Sequence, residues 1–146
     1  WDPHAKDSNG WSPFLLMVAR QFTEGVQIML FNGAYANDSV WGVSSCHLAA
    51  LSGNLELVKV LLEHDPQLCS AVDDKFATPL HYAAYGHRDN VIEYLLTLTT
   101  PNVRDLDDHS PLLTPILRKA HKVVKLLLRK SAVISERVVC RVAVRL

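Results

Sequence analysis

Cysteine is scarce in this chain. Cys46, Cys69 and Cys140 are an odd number and form no Cys-x-x-Cys pair, which argues against both a disulfide framework and a zinc knuckle and fits a reducing compartment. Net charge is absent as well, with 15 basic and 15 acidic side chains, so nothing favours a nucleic-acid binder built on overall basicity. No run approaches the roughly 18 consecutive apolar residues of a membrane helix, and Trp1 to Gly10 is too polar for a signal peptide. The seven histidines include no His-x-x-x-His or His-Glu-x-x-His pair, which leaves no metal expected. Glycine-rich phosphate loops and Gly-x-Ser-x-Gly are missing too, so neither a cofactor nor catalysis is expected. The expectation is an intracellular, cytoplasmic protein with a nuclear location also open. Asn37-Asp38-Ser39 is formally a glycosylation triplet, and the first residue is Trp rather than Met, which suits a fragment of a longer protein.

What is present is a repeat. Ser12-Pro13, Ser44-Ser45, Thr78-Pro79 and Ser110-Pro111 recur at spacings of 32, 34 and 32. An apolar pair ends 18 residues after each start: Met29-Leu30, Leu61-Leu62, Leu95-Leu96 and Leu127-Leu128. Length therefore varies only between units. A hydroxyl residue followed by Pro suits a helix start, because the oxygen accepts from an orphan N–H and Pro has no donor to lose. Two apolar stretches per unit, the second with helical spacing at Val58, Leu61 and Leu62 and at Val91, Tyr94 and Leu95, predict a pair of helices. Ala49-Ala50 and Ala83-Ala84 put small side chains on the first helix, where neighbouring backbones can approach. The prediction is an all-α solenoid of stacked helix pairs.

Thr78-Pro79-Leu80-His81-Tyr82-Ala83-Ala84, with His47-Leu48-Ala49-Ala50 continuing to Leu61-Leu62, resembles the ankyrin repeat and its period of about 33 residues. The resemblance covers about residues 1 to 135. It implies units at about 7–37, 38–70, 71–102 and 103–135, the tail of an earlier unit at 1–6, and a cap or tail at 136–146. Three departures stand out: Phe76 replaces a turn glycine, Met17-Val18 replaces the two alanines, and Pro115 falls inside a helix. Pro115 loses a backbone bond and crowds a carbonyl at about 3 kcal/mol, which makes the fourth unit the weak one.

The resemblance also implies what His47 and His81 do, namely hydrogen-bond within and between repeats. It implies a monomeric domain that binds another protein, through loop tips and the exposed, concave side of the first helices. Carried onto this chain, the partner-binding positions include Trp11, Arg20, Trp41, Leu51, Lys75, Tyr85, His109, Leu117 and Arg118, with Val40 among the loop-tip residues. A structural spacer in a larger channel, kinase or ligase adaptor is the alternative. Asp73-Asp74 and Asp107-Asp108 fall in loops, where solvated acids keep ordinary pKa values. The charge is unevenly spread: residues 1–114 carry 14 acidic and 6 basic side chains, residues 115–146 carry 9 basic and 1 acidic. Lys119, Lys122 and Lys125 there suit a solvated helix face, or docking on nucleic acid, an anionic membrane or an acidic partner.

Overall fold

The computed structural model describes residues 2–99, together with Lys122 and Lys125. The rest of the fourth unit, Pro115 included, and the 136–146 segment lie outside those residues. Lys122 and Lys125 are helical and exposed.

Ser12, the first hydroxyl signal, accepts from the Leu15 amide at 3.2 Å, and Pro13 opens α1, Pro13–Ala19. Helix α2 follows at Thr23–Phe31. A two-stranded hairpin, β1 Ser39–Val40 against β2 Val43–Ser44, leads into α3, Ser45–Ser52, and α4, Leu55–His64. Asn54 caps α4 by accepting from Leu57 N–H at 3.0 Å. A 3-10 turn at Pro66–Ser70 precedes α5, Pro79–Tyr85, and α6, Asp89–Leu96. Helices of 7 to 10 residues are marginal alone in water, so their stability comes from tertiary packing.

That packing has two rows. Along the first, α1 lies on α3 and α3 on α5; along the second, α2 lies on α4 and α4 on α6; each unit's own two helices also pack together. Helix α4 shows the pattern plainly: Leu57, Val58, Leu61 and Leu62 are buried, whereas Glu56, Lys59 and Glu63 face water. Ala49, Ala50, Ala83 and Ala84 are wholly buried, which lets α3 and α5 come close. In α1 Val18 is buried and Met17 partly so, and Met17 packs beside Gly25, so the larger pair is accommodated there.

Two left-handed backbone positions recur with the period. One is in the hairpin turn, at Gly10, Gly42 and Phe76 with φ of 83°, 77° and 59°; the other follows the first helix, at Gln21, Gly53 and His87 with φ of 59°, 82° and 56°. The glycine that Phe76 replaces was therefore needed for its conformation. Non-glycine residues held there carry about 1 kcal/mol of strain. His87→Gly and Phe76→Gly are each expected to raise stability by about 0.5 kcal/mol after the extra unfolded-state entropy of glycine is offset, as read by urea melts. Gly86 works differently. Its φ is ordinary, but a Cβ there would lie 2.8 Å from the Leu51 carbonyl oxygen of the preceding unit. Gly86→Ala should therefore cost about 2 kcal/mol by forcing α3 and α5 apart.

One loop-tip expectation is corrected. Val40 is only 3% exposed, because strand alternation turns it inward, under the Gly10 turn of the preceding loop.

Candidate binding surface

The histidine at the start of α3 ties one unit to the next. His47 is buried, and its Nδ1 accepts from the Ser44 backbone N–H at 3.2 Å. A backbone amide can only donate, so Nδ1 is unprotonated; Nε2 carries the hydrogen and donates to the Ala77 carbonyl at 2.9 Å. The Ser44 hydroxyl donates to the same Nδ1 at 2.7 Å. His81 repeats the local half, its Nδ1 accepting from Thr78 N–H at 3.1 Å. Tyr82 packs edge-on against His47 at 4.9 Å and donates its hydroxyl to Asp73 at 2.8 Å.

Asp73 is thus not the solvated loop acid the sequence suggested. It is half-buried and accepts from the Lys75 and Ala77 amides, each at 2.9 Å. Burial pushes its carboxyl up, but the bonds from Tyr82, Ala77 and Lys75 and the nearby His47 hold it below the usual 3.8. Asp7 gathers Asn9 and Trp11 amides in the same way two periods earlier. In the second loop Ser39 stands at that position, and the strand pair holds the turn instead. Asp38 beside it accepts from the Ser12 hydroxyl, from Ser39 N–H at 2.8 Å and from His4 Nδ1 at 3.1 Å, with Lys6 at 3.6 Å. Partial burial raises Asp38, and these donors together bring it below 3.8.

The acid response follows from these groups. Burial holds the His47 imidazole below 6.5, opposed by the Ala77 carbonyl and Asp73 and assisted by His81. The unfolded chain then takes up a proton first as pH falls, so stability is full above about pH 6.5 and declines below it toward the folded value. The contributions of Asp73 and Asp38 are present above their ordinary 3.8 and are lost below it. Thermal melts should show two steps on acidification, and His47→Gln should abolish the upper one.

No enzyme-like pair emerges from Cys46 and His47. Burial, with Cys69 nearby, pushes the Cys46 thiol up to about 12, and His47 is engaged elsewhere. Among the described residues no three His, Cys, Asp or Glu side chains could hold a metal, and no helix is long and apolar enough to cross a membrane.

Six of the sequence-selected surface residues can be placed. Trp41 at a loop tip is 68% exposed and Tyr85, the last residue of α5, 52%. Trp11 is half-buried because its ring meets Trp41 edge-on, with centroids 6.1 Å apart. Leu51 is half-buried, and its carbonyl accepts from Arg88 Nε at 2.9 Å; Arg20 and Lys75 are exposed. His109, Leu117 and Arg118 lie outside the described residues. Phe76, 53% exposed, was missed as a surface residue, although its departure from turn glycine was the available signal.

Stacked helix pairs whose polar networks hold the stack together, and whose aromatic side chains face outward at loop tips, define a repeat solenoid. The chain belongs to the ankyrin-repeat family: the model for ankyrin repeats (3 copies) matches residues 46–137. It is similar to transient receptor potential cation channel subfamily A member 1 of Drosophila melanogaster, at 33% identity over 135 residues, 88% of this chain and 11% of that protein. The homologue of that channel in Caenorhabditis elegans is 37% identical over 70 residues, 47% of this chain and 6% of its own length. The Notch-regulated ankyrin repeat-containing protein of Xenopus tropicalis is 38% identical over 56 residues, 38% of this chain and 48% of that protein. The chain thus spans a small part of the channel relatives. Ankyrin repeats are generally protein–protein interaction modules and typically non-enzymatic.

Proposed function

We propose that this domain binds a partner protein through its loop tips and the outward ends of its first helices, in a reducing intracellular compartment and as a monomer. Trp41 and Tyr85 are the anchors, Trp11 and Leu51 lie beside them, and Arg20 and Lys75 form the polar margin. His109, Leu117 and Arg118, outside the described residues, are the further binding positions in this reading. The carrying observation is the exposure of large aromatics, Trp41 at 68% and Tyr85 at 52%, on units whose paired alanines, Ala49-Ala50 and Ala83-Ala84, are fully buried. Aromatic groups are the usual energetic anchors of interfaces.

The test pans a displayed library of random dodecapeptides on the full chain and titrates the selected peptides by fluorescence anisotropy. Trp41→Ala and Tyr85→Ala should each weaken binding about tenfold or more with unchanged thermal melts. Binding that ignores both variants would refute the assigned surface; the absence of any binder would favour a spacer role within a larger channel-like protein.

A further inference from the structure

The loop tips of three successive units converge on one small area. Trp11 comes from the first loop, Trp41 from the second and Asp74 from the third. The two indoles stand nearly at right angles, 85° between planes, and form a corner that presents the face of one ring beside the edge of the other. Trp41 lies over the Gly10 turn, its Nε1 3.9 Å from where a Cβ on Gly10 would be. The Asp74 carboxylate packs directly on Gly42, the residue after Trp41, and would collide with any side chain there. Asp74 is exposed, and among the described residues no hydrogen bond or ion pair engages it.

We propose that this corner receives a cationic side chain, a lysine ammonium or arginine guanidinium, from an extended segment of the partner protein; the inference rests on the binding role proposed above. An aromatic face attracts a cation through its quadrupole, most strongly for Trp, and a free carboxylate at its rim adds a charge-assisted hydrogen bond. Charge complementarity points the same way, since residues 1–114 hold 14 acidic against 6 basic side chains. Lys6 is already engaged by the Ser39 carbonyl and Asp38. Lys75, adjacent to Asp74, is the nearest competing charge in sequence. The long stem of Lys or Arg suits the corner, because its methylenes cover the indole while its head reaches the carboxylate.

The selected dodecapeptides supply the test. They should be enriched in Lys or Arg, and replacing the shared basic residue by norleucine or citrulline should weaken binding about tenfold. Asp74→Asn, an exposed and isosteric change, should weaken it about fivefold without altering the melt. It should also reduce the salt dependence between roughly 50 and 500 mM, where screening removes exposed attractions. Peptides that depend on Trp41 and Tyr85 yet lack a basic residue, or that ignore Asp74→Asn, would overturn the cation pocket and leave the binding surface standing. Selection of acidic peptides would also overturn it and direct attention to residues 115–146. If no peptide binds the intact chain, both readings fall together.

Discussion

His47→Ala is expected to destabilise the domain by about 3 to 4 kcal/mol, far more than its single ring suggests. The imidazole is fully buried and bonded at both nitrogens, to Ser44 on its own helix start and to Ala77 on the next unit's loop. Removing it leaves a buried donor and a buried acceptor without partners, at about 1 to 3 kcal/mol each. The Tyr82 ring also loses its edge-on contact. Because units in a solenoid are coupled only through their neighbours, the loss falls on the junction between the second and third units, which should then separate in their unfolding. Urea melts followed by residue-level hydrogen exchange would show this, with residues 79–96 losing protection first. His47→Gln should recover part of the stability, since an amide can accept from Ser44 and donate to Ala77. A single undisturbed transition in the alanine variant would refute the junction role.

A second large effect is expected at Leu61. It is wholly buried in α4, and α4 packs between α2 and α6. Truncation to alanine opens a cavity in an interior with no slack, a loss of about 3 to 4 kcal/mol. Met29 occupies the same register position in α2 and is 6% exposed, but among the described residues α2 has one neighbour in the row, α4. Met29→Ala in this chain should therefore cost less, about 2 kcal/mol, because α2 bears on one described neighbour in the row and has more room to relax. Equal losses at both positions would show that position in the stack does not matter. Guanidinium melts of both variants alongside Glu63→Ala, on the solvent face of α4, give the comparison its baseline.

Helix starts and buried faces were legible because their signals are local. Ser12 before Pro13 satisfies an amide three residues on, and the apolar positions of α4 recur every three or four residues on one side. Val40 and Asp73 were misjudged for the opposite reason. Val40 is inward because the Gly10 turn lies over it, and Asp73 is held down by a tyrosine nine residues along the chain. Neither cover is visible in the residues alongside. The binding surface was legible only as a set of register positions: the contact between Trp11 and Trp41 joins residues one period apart, and the packing of Asp74 on Gly42 does the same.

By itself, the sequence determined the period, the helix-pair unit and the residues that each unit buries, because these depend on spacings within a single turn or a single repeat. It also marked the histidines that close on their own helix starts, through the recurrence of His47 and His81 three residues after their hydroxyl caps. Only the tertiary structure decided how neighbouring units meet: the Ala77 carbonyl placed at His47, the Leu51 carbonyl crowding Gly86, and three loop tips brought to one corner. Those contacts join residues about one repeat apart, and stacking geometry sets them, so no local preference of the chain encodes them.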